Sequence, residues 1–363
     1  MADGAMSGAR VALAPERSEP AIGRFEFWPG WVFYTPIVVQ WIALGLRYGD
    51  FSLPTAANPM IETGGLCGES KTAILDQMRG PARTLLAPYV RFAATDGAAA
   101  ESERVAAGLS YPVVAKPDIG CNGTGVRLIA HRAALDAYVA AFPAGRDIVL
   151  QAFVPHPGEA GLFYIRAPGE ARGRITSVTL KEEPFVIGDG RATLESLILA
   201  DPRLHAIRRF FIPRLGERLA KVPSRGERVT LLFVGNHCKG STFRDGREEI
   251  TEALTDRIEA IAQSLPEFHF GRLDVRYRTL AGLRRGEDFT IIEVNGAGSE
   301  ATHVWDPAAR ILPSWRDQFA HYRAAFEIGR ANRARGFKPS GLLTMLRAWR
   351  LQRRLLAAYP RHD

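Results

Sequence analysis

The chain has 363 residues, 46% of them hydrophobic and 24% charged, enough for two or three packed units of a globular protein. Its net charge of +8 is uneven: residues 310–363 hold 12 Lys and Arg against 3 Asp and Glu, or +9, leaving 35 against 36, or −1, for residues 1–309. A near-neutral body argues against a nucleic-acid-binding surface and directs the search for an anionic partner, such as a membrane surface, to the tail.

Residues 1–22 read as a disordered N-terminus and lack the apolar core of a secretory signal. An aromatic and apolar segment, residues 23–65, follows. Between Trp28 and Leu46 only Thr35 and Gln40 are polar, which is marginal for a bilayer span. Pro29 and Pro36 predict an irregular aromatic lead-in and a short helix over about 37–48. Trp28, Trp31, Tyr34 and Trp41 resemble an interfacial belt, so a buried core helix, an interfacial membrane contact and a span are the readings to separate. The run Gly68-Glu-Ser-Lys71 is not a P-loop, because the lysine does not directly follow the last glycine. It starts a helix over 70–78, and a link through Pro81 and Pro88 leads to a strand at 89–92.

The stretch Tyr111 to Val126 is the most informative. A short apolar run ends at Lys116, three glycines follow (Gly120, Gly123, Gly125), and a second apolar run begins at Val126. That pattern predicts two strands joined by a loop whose backbone N–H groups can turn around an anion. A plain hairpin loop is the alternative. A dinucleotide fingerprint or a P-loop fits worse, since in both the glycines open into a helix. A helix over 133–142 and strands at 147–154 and 174–181 come next. Thr193 caps a helix with Glu195 in its first turn. A strand at 228–234, a helix at about 248–265 and two strands, 271–277 and 289–296, complete the body. Strands and helices mix without regular βαβ alternation, which makes the class α+β.

Strand alternation puts Arg272, Asp274 and Arg276 on one face of the first of these last two strands, and Ile291, Glu293 and Asn295 on one face of the second. If the two pair, two acids and an amide meet among apolar neighbours. A hard cation such as Mg²⁺ would relieve their repulsion and complete its shell with phosphate oxygens. The competing reading pairs Asp274 with Arg272 or Arg276. Cys67, Cys121 and Cys238 form no zinc pattern and suit a reducing compartment.

In this order, from about 66 to 308, the elements resemble the ATP-grasp superfamily of carboxylate–amine ligases. Lys71 and the strand after it look like the lead into its ATP-binding half. Lys116 and Gly120, Cys121, Asn122, Gly123, Thr124 and Gly125 resemble its phosphate-contacting lysine and glycine-rich lid. Gln151, Ala152, Phe153 and Val154 resemble the adenine hinge, and Glu159 falls where ribose is held. Residues 186–198 and Asn236–Gly240 are similar to cyanophycin synthetase, and Asp274 with Glu293-Val-Asn295 to the metal strands of D-alanine–D-alanine ligase.

The resemblance implies two α+β subdomains, 66–150 and 151–309, with nucleotide between them. It implies ATP and Mg²⁺, with Mn²⁺ as a substitute, and formation of ADP through an acyl phosphate. Lys116 and Lys181 would neutralise phosphate, Arg272 would stabilise the oxyanion, and Lys239 is a further candidate that a surface lysine explains equally well. The substrates would be a small-molecule or lipid-linked carboxylate and amine. A phosphotransferase or nucleotide-binding protein of the same fold is the alternative. The usual N-terminal substrate domain is truncated here, so the segment that sets substrate identity is missing or replaced. His156, His237 and His303 read as packing or surface residues.

The tail, 310–363, contains an amphipathic helix at 341–359 with Leu342, Met345, Leu346, Trp349 and Leu356 in one stripe and Arg347, Arg350 and Arg354 beside it. Together, 25–46 and 341–359 point to a cytoplasmic protein held at an anionic membrane face. Packing of the tail on the body or in a homodimer is the alternative.

Overall fold

The computed structural model describes residues 22–360 apart from 234, 236, 238 and 239. The first helix, α1, spans Gly30–Tyr48 and continues through Pro36, so the expected break into a lead-in and a short helix does not occur. A mid-helix proline costs about 3 kcal/mol, and burial of Phe33, Ile37 and Leu44 on one face offsets it. The helix ends at Gly49, whose φ of 69° suits a residue without Cβ.

Next come α2 (Lys71–Leu75), capped by the Ser70 hydroxyl on the Ala73 N–H, β1 (Tyr89–Ala93) and α3 (Gly97–Ala106). Strands β2 (Val113–Pro117) and β3 (Arg127–Ile129), α4 (Arg132–Ala141) and β4 (Asp147–Ala152) complete the first unit. Its antiparallel sheet has the order β1-β4-β2-β3, and Leu135, Tyr138 and Val139 of α4 close its core. Helix α3 is absent from the sequence reading because its Ala-rich, Glu-rich run carries no apolar stripe.

The second unit begins with β5 (Gly158–Ile165), β6 (Arg174–Glu182) and β7 (Phe185–Ile187). Three short helices follow: α5 (Leu194–Ala200), capped by Thr193 as expected, α6 (Pro202–Ile207) and α7 (Ile212–Leu215). Then come β8 (Arg228–Thr230), β9 (Thr242–Asp245), α8 (Glu252–Gln263), β10 (Phe270–Tyr277), α9 (Leu280–Arg284) and β11 (Phe289–Asn295). The large antiparallel sheet runs β11-β10-β5-β6-β9, and β7 pairs with β8. Ile74, Leu75 and Met78 join the core between this sheet and α8, so the segment around α2 packs on the second unit. An isolated parallel bridge, Leu86 to Ile291, ties the linker before β1 to β11 and brings the two sheets side by side.

Two helices end the chain, α10 (Ile311–Ala334) and α11 (Leu342–Ala358). In α11 the buried residues are Ala348 and Leu355, with Tyr359 just beyond, whereas Leu342, Leu346 and Trp349 of the expected stripe are exposed. Leu355 and Tyr359 belong to the core of the first unit, and the Tyr359 hydroxyl donates to the Ile119 carbonyl at 2.8 Å. The tail therefore straps the first unit. Among the described residues, no helix is long and apolar enough to cross a membrane.

Candidate active site

Between the two sheets lies a cavity of about 800 Å³, the size of a site for a nucleotide-sized ligand or larger. Of the residues expected to bind nucleotide, Lys71, Lys116, Gly120 to Thr124, Gln151 to Val154, Glu159 and Lys181 line it, as do Arg272, Asp274, Glu293 and Asn295. Gly125 lies outside the lining and is needed for shape: its φ is 74° and a Cβ there would sit 2.5 Å from Pro117. Lys239, with Asn236 and Cys238 of its motif, lies outside the described residues.

The expected pairing of the last two strands is present. Asp274 stands opposite Glu293 and Arg272 opposite Asn295 in the antiparallel register of β10 and β11. Asp274 is buried and thoroughly compensated. Its carboxylate accepts from Lys181 Nζ at 2.9 Å, Arg272 Nη2 at 3.0 Å and Asn295 Nδ2 at 3.0 Å. Burial alone would raise its pKa, but Arg272 and Lys181 outweigh that and hold it at about 2. Glu159 is pinned as well, 2.9 Å from Lys181 and 3.4 Å from Arg276. Burial would lower the pKa of Lys181, but Asp274 and Glu159 raise it above its ordinary value. The cleft floor is thus an alternating network of acids and bases built by the register of β5, β6 and β10.

The glycine-loop side differs. Lys116 donates to Gln151 Oε1 at 2.9 Å and to the Ile292 carbonyl at 3.1 Å, both neutral acceptors. Burial pulls its pKa down from 10.5 to about 8, with Glu293 the largest opposing influence. Lys71 donates to the Gly120 carbonyl and lies 3.6 Å from Glu293 Oε1. Asp118, not singled out from the sequence, anchors the base of the glycine loop: its Oδ1 accepts from the Thr72 backbone and hydroxyl, each at 2.9 Å. Tyr138 holds the other end through a 2.7 Å bond to the Gly125 carbonyl.

The sequence reading also misses Glu69. It lines the cavity, one carboxylate oxygen, Oε2, is buried without a hydrogen-bond partner, and burial holds its carboxyl above the usual range. A lone glutamate before a helix carries no sequence signal for this. The far end of the cavity is walled by Phe27, Trp28 and Tyr34 from the N-terminal segment, with Trp305, and by Trp349 of α11. Burial likewise raises the pKa of Glu300, which accepts from Tyr34 and Trp305. His237 is stacked between Phe27 and Trp305 and bonded to the Glu26 carbonyl, and His303 bridges Ser177 and Asp317, so both serve packing.

The hairpin offers two carboxylates and an amide, oxygen donors of the kind Mg²⁺ takes; in this structure Asp274 is paired with Arg272, as the competing reading expects, and with Lys181. Among the described residues no group of three or more His, Cys, Asp and Glu gathers in ligating positions, so ligand oxygens would have to complete such a shell.

The fold is α+β, two helix-backed antiparallel sheets around one cleft, the arrangement expected of an ATP-grasp protein. No protein-family model matches the sequence, and no curated protein matches it. Among solved structures, the chain is similar to a bifunctional glutathione synthetase from Pasteurella multocida at 15% identity and a TM-score of 0.36, over 69% of this chain and 36% of that one. It is similar to the VanG D-Ala:D-Ser ligase from Enterococcus faecalis at 15% identity and a TM-score of 0.38, over 70% of this chain and 63% of that one. For the D-alanine–D-alanine ligase from Bacillus anthracis the identity is 13% and the TM-score 0.41, over 75% and 69% of the two chains. The chain spans little more than a third of the first and less than two thirds of the second. At TM-scores below 0.5 these likenesses carry no functional argument, which rests on the cleft residues.

Proposed function

We propose that the protein is an ADP-forming ligase of the ATP-grasp kind that joins a carboxylate to an amine or similar nucleophile through an acyl phosphate. The observation that supports this most is Lys116, a buried lysine with only neutral hydrogen-bond acceptors at the root of a glycine loop, facing the Asp274–Glu293 pair. A buried lysine whose hydrogen-bond acceptors are neutral favours an anionic ligand in such a place, and a triphosphate suits the cavity.

The acceptor carboxylate attacks the γ-phosphorus of ATP, the bond to the β-phosphate oxygen breaks, and ADP departs. Lys116 and Lys71 neutralise the charge on the transferring group, and the loop 120–125 excludes water that would hydrolyse the acyl phosphate. The amine then attacks the acyl carbon, and phosphate leaves. Arg272 is the cation for the oxyanion, and Glu69, with its unpartnered oxygen and raised pKa, takes the proton that the amine loses. A Mg²⁺ or Mn²⁺ ion, held by Asp274, Glu293 and Asn295, would neutralise phosphate charge when bound. Phe27, Trp28 and Tyr34, which line the cavity, would contact the acceptor substrate.

The test is substrate-dependent phosphate release from ATP in a screen of carboxylate–amine pairs. Ligation gives ADP with free phosphate, whereas ADP with a phosphorylated product means a phosphotransferase. Glu293→Ala should lower turnover at least about 100-fold, and full activity there would refute the metal assignment.

A further inference from the structure

Helix α1 is apolar on two opposite faces. One, with Phe33, Ile37 and Leu44 buried, packs on the body, where Trp41 meets Tyr322 and Phe326 of α10. The other is a stripe at helical spacing, Trp31, Val38, Ile42 and Leu46, with Val39 beside it. Trp31 is 75% exposed, Val39 60% and Leu46 69%. Thr35, the polar residue within that stripe, bonds back to the Trp31 carbonyl at 2.6 Å. A helix packed on a body normally turns charged or polar residues outward, and one that is apolar all round needs a second apolar medium.

The flank of this stripe is cationic. Arg316, Arg323 and Arg330, seven residues apart, share one side of α10. Arg330 reaches α1, its guanidinium 5.9 Å from the centre of the Tyr48 ring, with Arg47 5.6 Å from the same ring. Helix α1 contains no acid. In α10 the acids are Asp317 and Glu327; Asp317 is held by Arg247 at 2.9 Å and His303 at 3.0 Å and also pairs with Arg316 at 3.4 Å, which leaves Arg323 and Arg330 to carry the charge of this row. At the start of α10, Leu312 adds a further exposed apolar side chain.

We propose that this face, the outer stripe of α1 with the arginines of α10, docks the protein on an anionic lipid bilayer. Tryptophans and aliphatic side chains suit the depth of the headgroup boundary, and arginines beside them suit phosphate headgroups. A second copy of the chain is a poorer occupant, because a two-fold dimer that lays α1 antiparallel across its copy would bring two rows of arginines together. The strap helix α11 is not required for the contact.

The test is co-sedimentation of the full chain with vesicles of phosphatidylcholine alone and of phosphatidylcholine mixed with phosphatidylglycerol, at low and high salt. Binding should occur on the mixed vesicles at low salt and weaken with salt. Val38→Glu with Ile42→Glu, at exposed positions, should reduce the affinity at least about tenfold. Arg323→Glu with Arg330→Glu should reduce it by at least roughly fivefold per arginine, with unchanged near-ultraviolet circular dichroism showing that each variant is folded. Protein that stays in the supernatant with mixed vesicles at low salt would overturn the proposal. So would a dimer by light scattering that the Val38 and Ile42 substitutions convert to monomer.

Discussion

Lys116 and Lys181 are two buried lysines of one cleft whose pKa values move in opposite directions. Burial pushes both down. Lys181 sits 2.9 Å from each of two carboxylates, Asp274 and Glu159, and they more than compensate. Lys116 has two neutral carbonyl oxygens within hydrogen-bond distance and ends at about 8. The floor of the cleft is therefore charge-paired, while the glycine-loop side holds a lysine whose hydrogen-bond acceptors are neutral. The two lysines thus differ in what holds them, charged carboxylates for Lys181 and neutral oxygens for Lys116.

Substitution separates the two lysines. Lys181→Met leaves Asp274 and Glu159 short of a buried partner and should destabilise the fold by about 3–5 kcal/mol in urea denaturation, the range for breaking a buried pair. Lys116→Met should leave stability within about 1 kcal/mol, because it also removes a poorly solvated charge, yet it should lower ATP turnover about 10²–10³-fold. Equal stability losses in the two variants would erase the distinction.

Much of this contrast was legible in the sequence. Period-two alternation in 271–277 and 289–296 was enough to align Asp274 with Glu293, and the three glycines after Lys116 were enough to mark the loop. Compensation was not legible. Lys181 reaches Asp274 because β5 lies between β6 and β10, and β5 itself, Gly158–Ile165, is a strand whose central position no local pattern reveals. The pairing of the Glu159 carboxylate with Lys181 and Arg276 has no local signal either. At the ends of the chain, local signals misled where tertiary packing decided. Pro36 suggests a break that the body overrides, and of the α11 stripe Leu356 packs beside Leu355 and Tyr359 while Leu342 and Leu346 are exposed.

Titration tests whether Lys116 waits for phosphate. Its folded pKa of about 8 lies below its ordinary 10.5. The folded state is thus penalised below pH 8, while the lysine is charged, and the penalty fades as pH rises from there towards the ordinary value. A bound triphosphate favours the charged form and raises that pKa, so ATP binding at pH values between the two should draw a proton from the buffer. Calorimetry of ATP binding near pH 9 in two buffers of different ionisation enthalpy should show uptake approaching about one proton. Lys116→Arg, charged throughout, should abolish it. Buffer-independent heats for the unaltered protein, or the same uptake in Lys116→Arg, would contradict the account.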